Sequence, residues 1–327
     1  MNIANIRNHK FNSPEYERLH LPIQLALLYG LTQAQARKGE VMVMDVNNGD
    51  ILCDVALEEN NGRNGDFALY CSRVKEVDCI GVETEENHGY LVMDGMRMIP
   101  LRFIMPAVSY LAFMEYGFQP TDLLEWDENS ITIEDAFTEG YFEPLINAVM
   151  QLFPEGVDEL AQFMINLGII PLIPNINPRD LDEIMCNEYY GYALLDWFNL
   201  IALEKDFVKL FLEEGDKPGC LSVRPDSVRL LKDVLKKNAA EFITSESAYK
   251  ANLISGYNCM LEEKDYSEFY LFGYFPSDVP KYGIMVWMDK QKTPEYQQDQ
   301  EYQDVGENLA WVCNRMFEFL MRPETNK

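Results

Sequence analysis

The feature that most limits how this chain can fold lies near its C-terminal end. Phe269 to Asp289 reads Phe-Tyr-Leu-Phe-Gly-Tyr-Phe-Pro-Ser-Asp-Val-Pro-Lys-Tyr-Gly-Ile-Met-Val-Trp-Met-Asp, two apolar, aromatic-rich runs joined by a Pro-Ser-Asp-Val-Pro turn. Aromatic and β-branched residues bounded by turn formers predict a hairpin. A second hairpin is written near the other end, where Val41–Val46 and Ile51–Val55 flank Asn47-Asn48-Gly49-Asp50. An Asn- and Gly-bearing turn between apolar runs is among the clearest short-range signals a sequence carries. Neither hairpin can bury its apolar face alone. The two are therefore expected to share one antiparallel sheet, despite their distance along the chain.

Between the hairpins the pattern is mainly helical. Residues 1–15 are polar and read as a loose arm, followed by a helix-like apolar run from Leu21 to Tyr29. Phe67–Cys71 and Val74–Val82 read as further strand pieces before the acidic loop Glu83–Gly89. Met105–Tyr116 predicts an apolar helix with Gly117 as its C-cap. Phe142–Phe153 and Val157–Leu167 are amphipathic, and Tyr189–Glu213 reads as one or two buried helices. Pro225-Asp226 opens a helix over Ser227–Lys237, and Leu253–Leu261 is strand-like. After the Gln-rich loop Thr293–Gln303, a last amphipathic helix is expected over Val305–Met321. Strands at both ends with helices between them predict an α+β fold. Its antiparallel sheet, flanked by helices, is built from both chain ends, with a mainly helical subdomain inserted. We read 1–327 as a single domain, with 16–100 and 222–327 forming the sheet subdomain and 101–221 the helical one.

The 327 residues, 47% of them hydrophobic, suffice for a large core. Acidic residues number 54 and basic ones 27, a net charge of −27. Nucleic acid and anionic membrane surfaces would repel such a chain, so neither is expected as a partner. Solubility is the plainer reading of the acidity, ahead of a specific basic partner. The cysteines, Cys53, Cys71, Cys79, Cys186, Cys220, Cys259 and Cys313, show no Cys-x-x-Cys pair or zinc-like spacing, and His9, His20 and His88 are isolated. No metal or cofactor is expected; the thiols read as reduced and buried. The N-terminus has no apolar h-region, and no apolar run reaches membrane-spanning length. The chain reads as soluble, cytoplasmic as it begins, or periplasmic and envelope-associated if an anchor has been removed.

Several segments resemble penicillin-binding transpeptidase domains, particularly the class B, division-type ones without their anchor and pedestal domain. The Phe269–Asp289 hairpin is similar to the family's Phe-x-Gly-[Tyr/Phe]-Phe-Pro-x-Asp-x-Pro-Lys-Tyr segment. Gly39–Leu52 is similar to its opening Gly-x-x-Val-Val-Met-Asp-x-x-x-Gly-Glu-Ile-Leu hairpin, and Leu111–Gly117 to its Leu-x-x-Leu-Glu-x-Gly helix end. Val157–Ile169 is similar to the segment preceding the family's Phe-Gly-Phe-Gly, and Tyr189–Ala193 falls where a Gly-Tyr-Gly-Ile-like segment is usual. The matches come in the family's order at plausible spacing.

The resemblance implies three catalytic motifs, and each position is altered. Ser-x-x-Lys places a nucleophilic serine one helical turn from the lysine that activates it. Counting back from Glu115 and Gly117 puts that motif at Phe103-Ile104-Met105-Pro106, and Pro106 can be accommodated in a first helical turn. Ser-x-Asn, which supplies a hydroxyl and an amide, falls at Gly140-Tyr141-Phe142 after Ile133–Phe137. Lys-[Ser/Thr]-Gly, which adds positive charge on a strand lining the cleft, falls at Tyr257-Asn258-Cys259. We therefore read no catalytic residue and a vestigial cleft at Phe103, Pro106, Gly140, Phe142, Tyr257, Asn258 and Cys259.

Literal Ser-x-x-Lys matches at Ser72–Lys75 and Ser247–Lys250 open no apolar helix, and chance explains so loose a pattern. Cys259 has no histidine near it in sequence and reads as a buried strand thiol rather than a replacement nucleophile. The aromatics Phe269, Tyr270, Phe272, Tyr274, Phe275 and Trp287 read as strand core rather than a sugar-binding platform. The functional expectation is a non-catalytic transpeptidase homologue that binds a protein partner or a cell-wall component. The alternative is a residual acyl-transferase or hydrolase using a relocated nucleophile, Ser72 or Cys259. For the cleft, the expectation is a plug in which Phe103, Phe142 and Tyr257 converge. The rival is an open apolar groove.

Overall fold

The computed structural model describes residues 14–59, 67–69, 80–82, 90–92, 98–126, 129–167, 169, 178–186, 188–190, 197, 201, 223–242, 254–262, 266–291, 312 and 315–316. Helix α1 (Pro14–Ala34) leads into the hairpin of β1 (Lys38–Asp45) and β2 (Ile51–Glu59), followed by β3 (Phe67–Leu69) and the short pair β4 (Ile80–Val82) and β5 (Tyr90–Val92). Strand β6 (Met98–Pro100) and a 3-10 turn at Leu101–Phe103 precede α2 (Met105–Glu115). The hairpin of β7 (Leu123–Trp126) and β8 (Asn129–Thr132) follows, then α3 (Ile133–Thr138), α4 (Phe142–Val149), α5 (Val157–Asn166), α6 (Leu181–Met185) and β9 (Glu188–Tyr190). Helix α7 (Pro225–Phe242) and strands β10 (Ser255–Glu262), β11 (Tyr266–Phe275) and β12 (Tyr282–Gln291) complete the described elements.

Both hairpins enter one sheet of order β10-β11-β12-β1-β2-β3. The junction is the antiparallel pairing of β1 with β12, in register from Lys38 opposite Asp289 to Asp45 opposite Tyr282. The fold is thus the expected α+β arrangement, its sheet built from both ends of the chain. Strand alternation sorts the side chains into two cores. Val41, Val43, Phe269, Leu271, Phe275, Ile284, Val286 and Met288 pack with Leu19, Ile23, Leu27 and Leu31 of α1. Met42, Met44, Tyr257, Tyr270, Phe272, Tyr274, Met285 and Trp287 face the core that contains α2 to α5. Because helices cover both faces, β11 is buried from Ser267 to Phe275 and reads as a continuous apolar run instead of an alternating one.

Helix α2 is buried from Met105 to Met114, which explains a sequence apolar on every side. Its Pro106 sits in the first turn, where the missing N–H costs no intrahelical bond. Thr132 caps α3 by accepting from the Asp135 amide, and Asp180 caps α6 through the Glu183 amide. The Arg37 guanidinium grips the Asp289 carboxylate at 3.1 and 3.2 Å, tying the entry of β1 to β12. No helix among the described residues is long and apolar enough to cross a membrane.

Two sequence expectations need correction. Tyr189 and Tyr190, read as a helix start, lie in β9, where Tyr189 pairs with Ile99 and Tyr190 with Met98. A partner strand overrode the local helical pattern, as aromatic residues allow. Trp197 and Ile201 are helical, and the other positions of the expected 189–213 helices lie outside the described residues. The β7–β8 hairpin went unread because its connection, Asp127-Glu128, lacks turn-forming glycine or asparagine. Cys53 and Cys259 are free and buried as expected, whereas Cys186 is free and exposed. Cys71, Cys79, Cys220, Cys313, Ser72, Ser247, residues 1–13 of the arm, the loops 83–89 and 293–303, and most of the expected helix 305–321 lie outside the described residues.

Gly256 and Gly273 face each other across β10 and β11. A Cβ at Gly273 would stand 2.6 Å from the Ser255 carbonyl oxygen, and one at Gly256 only 2.1 Å from that of Phe272. Backbone cannot retreat as a flexible side chain can. Gly273→Ala is therefore expected to destabilise the protein by about 1–3 kcal/mol through overpacking, read as a lowered midpoint in urea. An unchanged midpoint would show that the two strands are not in this close register.

Candidate functional site

Phe103 ends the 3-10 turn before α2, Phe142 opens α4, and Tyr257 lies on the edge strand β10. Sequence separates these positions widely, and the fold brings them together. The Tyr257 hydroxyl donates to the Phe103 carbonyl oxygen. Its ring meets Phe142 edge-on, with centroids 5.5 Å apart at 74°. Phe137 completes a triangle, 5.5 Å from both Tyr257 and Phe142 at 70° and 63°. Each edge of this triangle has the edge-to-face geometry in which a ring's positive rim meets another's negative face.

The cluster continues into the sheet. Phe103 lies 4.0 Å from Tyr270, Tyr257 lies 6.1 Å from Phe272, and Tyr110 meets Phe137 at 5.5 Å. Phe103, Tyr257, Phe137, Tyr270 and Phe272 are fully buried, while Phe142 is partly buried and packs against the same core. Each fully buried ring contributes roughly 1.5–3 kcal/mol of apolar transfer, and the Tyr257 hydroxyl is satisfied rather than stranded. Phe103, Phe142 and Tyr257 therefore meet within one packed set of rings instead of opening onto solvent.

The remaining sequence-selected positions have clear local roles. Gly140 follows α3 with φ of +79°, a left-handed conformation that favours glycine, and it turns the chain into α4. Asn258 is buried between Tyr257 and Cys259, on the opposite face of β10 by strand alternation. Cys259 is buried beside Tyr257 in the core that faces α2. Burial pushes its thiol well above the usual cysteine range. The Tyr257 phenol is likewise raised, first by burial and second by the Cys259 charge. Tyr110 is pushed up by burial and then by the carboxylates of Glu134 and Asp233. Such shifts hold these groups neutral, in line with packing rather than proton transfer.

Ser109 is the serine on α2, and its buried hydroxyl has no hydrogen-bond partner, and so no base to activate it, among the described residues. His20, the one histidine among the described residues, lies on α1, across the sheet from these rings. No group of three His, Cys, Asp or Glu side chains with metal-binding geometry occurs among the described residues. Phe137 and Tyr110 were not singled out from the sequence; their helical spacing from other apolar residues marks them only as core. The hairpin aromatics Phe269, Tyr270, Phe272, Tyr274, Phe275 and Trp287 are all buried, so they serve as strand core and not as an exposed platform.

No family model matches the chain, and no curated protein matches its sequence. Solved structures do match in fold. The transpeptidase domain of the FtsI4 D,D-transpeptidase from Legionella pneumophila is 13% identical, with a TM-score of 0.58 over 94% of this chain and 99% of that one. The transpeptidase domain of penicillin-binding protein 3 from Burkholderia pseudomallei is 13% identical, with a TM-score of 0.60 over 96% and 98%. A peptidoglycan glycosyltransferase from Burkholderia ambifaria is 12% identical, with a TM-score of 0.61 over 95% and 98%. Nearly the whole of this chain thus has the fold of a penicillin-binding transpeptidase domain, as the hairpin and helix resemblances anticipated.

Proposed function

We propose that this chain is a non-catalytic homologue of penicillin-binding transpeptidase domains that acts by binding a protein or an envelope component. The observation that carries the reading is the aromatic cluster itself. Where the resemblance would put serine, lysine and asparagine side chains, this chain has Phe103, Pro106, Phe142 and Tyr257: the Phe142 and Tyr257 rings pack on each other, the Tyr257 hydroxyl bonds the Phe103 carbonyl, and the Phe103 ring packs on Tyr270. A substrate would have to displace several buried rings to lie there. The acylation chemistry also needs a hydroxyl beside a base, and neither group stands at Phe103 or Pro106.

Incubation with benzylpenicillin followed by intact-protein mass spectrometry tests the reading. The expected result is an unchanged mass. A stoichiometric adduct, on Ser72 or on any other serine, would overturn it in favour of a relocated nucleophile.

Cys259 is the other candidate for such a nucleophile, and its surroundings oppose that role. A thiol raised by burial has less thiolate at neutral pH than a free cysteine, and its buried sulfur offers no approach. Iodoacetamide at about pH 8 should label exposed Cys186 in the native protein, while Cys259 labels only after denaturation. Because the folded-state value lies above the unfolded one, native Cys259 should stay unreactive as pH rises through the ordinary cysteine range. Labelling of native Cys259 at a rate near that of Cys186 would revive the nucleophile reading.

A further inference from the structure

The loop at the resemblance's Ser-x-Asn position sends its two aromatics in different directions. Phe142 packs inward on Tyr257, while Tyr141 stays 44% exposed and meets the partly exposed Trp126 at the end of β7. The Trp126 and Tyr141 ring centroids lie 5.1 Å apart, tilted at 37°. On either side of Tyr141 in sequence stand Glu139 and Glu143, with exposed side chains that make no hydrogen bond or ion pair among the described residues. Glu134 and Glu115, by contrast, pair with Lys237 and Arg224.

We propose that Trp126, Tyr141, Glu139 and Glu143 form a docking surface for a basic segment of a protein partner, an arginine side chain lying against the aromatic pair with its guanidinium between the carboxylates. Three features of the surface select that occupant. Aromatic faces carry negative potential and attract a guanidinium, which stacks on them more readily than an ammonium does. Two unpaired carboxylates supply the complementary charge, and the −27 charge of the whole chain steers a basic segment inward. A neutral sugar would use the rings and leave both carboxylates unpaired, and an acidic ligand would be repelled. The amide end of α4 lies at Tyr141 and by itself favours anions, but Glu143 in its first turn opposes that. The mount is firm, because Tyr141 is held between Gly140 and a Phe142 locked on Phe137 and Tyr257. Rigid presentation of this kind lowers the ordering cost of binding.

The inference names the partner chemistry for the binding role proposed above and rests on that reading. Its test is titration of the full chain with an acetylated, amidated peptide of alternating arginine and glycine, followed by calorimetry at low salt. Tyr141→Ala and the double variant Glu139→Gln/Glu143→Gln should each weaken binding by about fivefold or more, the scale of a stacked cation or a pair of charge contacts. A control that removes equal charge elsewhere, Glu155→Gln/Asp158→Asn, should weaken it much less. Glu139 and Glu143 have exposed side chains, so the double variant keeps its fold, which circular dichroism verifies. Three results would overturn the proposal: no binding by the wild-type chain, equal losses in the site and control variants, or Tyr141-dependent binding of a neutral chito-oligosaccharide instead of the peptide. A penicillin adduct would sink the non-catalytic reading and leave this surface standing, whereas failed peptide binding with no adduct removes only the partner chemistry.

Discussion

The pairing of β1 with β12 is the interaction on which the rest of this structure depends. It joins a strand from each end of the chain, residue for residue from Lys38 to Asp45, and so closes the sheet around everything between. Loop closure over so long a stretch costs entropy early and returns it only when both faces are covered. Here they are covered by α1 on one side and by the α2-centred core on the other. Gly39 lets that closure come tight, since a Cβ there would stand 2.8 Å from Leu31 Cδ2 and 2.9 Å from the Trp287 carbonyl oxygen. The Arg37–Asp289 ion pair guards the open end of the same seam.

Once the sheet is closed, β10 stands at its edge with α7 against it, and Tyr257 points from that strand toward α2 and α4. What the positions around it do follows from their chemistry. Polar groups in a low-dielectric groove must be paired or they cost free energy. Rings there gain burial and edge-to-face contacts instead, and the single polar atom that the triangle of rings retains, the Tyr257 hydroxyl, is spent on the Phe103 carbonyl. On the reading we propose, stability and catalytic competence would draw on the same few positions, with packing favoured here.

Legibility in the sequence tracked how local each signal is. Asn47–Asp50 and Pro276–Pro280 announce their hairpins because turn chemistry is written in adjacent residues. The joining of the two hairpins also followed, because apolar strands must find partners. The inward turn of Phe142 and the outward turn of Tyr141 were not separable in sequence, since both are aromatic and adjacent; the chain passes through a left-handed turn at Gly140 before Tyr141 caps the helix and Phe142 opens it. Phe137 completes the ring triangle from a helix whose pattern marks it as buried without saying what it touches. Trp126 belongs to a hairpin with an unremarkable acidic connection, so nothing local flagged it. Pro106 was readable from the first-turn rule alone.

We propose that aromatic packing closes the cleft of this transpeptidase-like fold, and a double-mutant cycle between Phe142 and Tyr257 tests that most directly. Phe142→Ala, Tyr257→Ala and the double variant are compared by urea denaturation. Rings in edge-to-face contact predict that the double variant loses about 0.5–1.5 kcal/mol less than the sum of the single losses, because the shared contact is lost only once. Additivity within about 0.3 kcal/mol would mean that the two rings do not meet, and that the cleft is open.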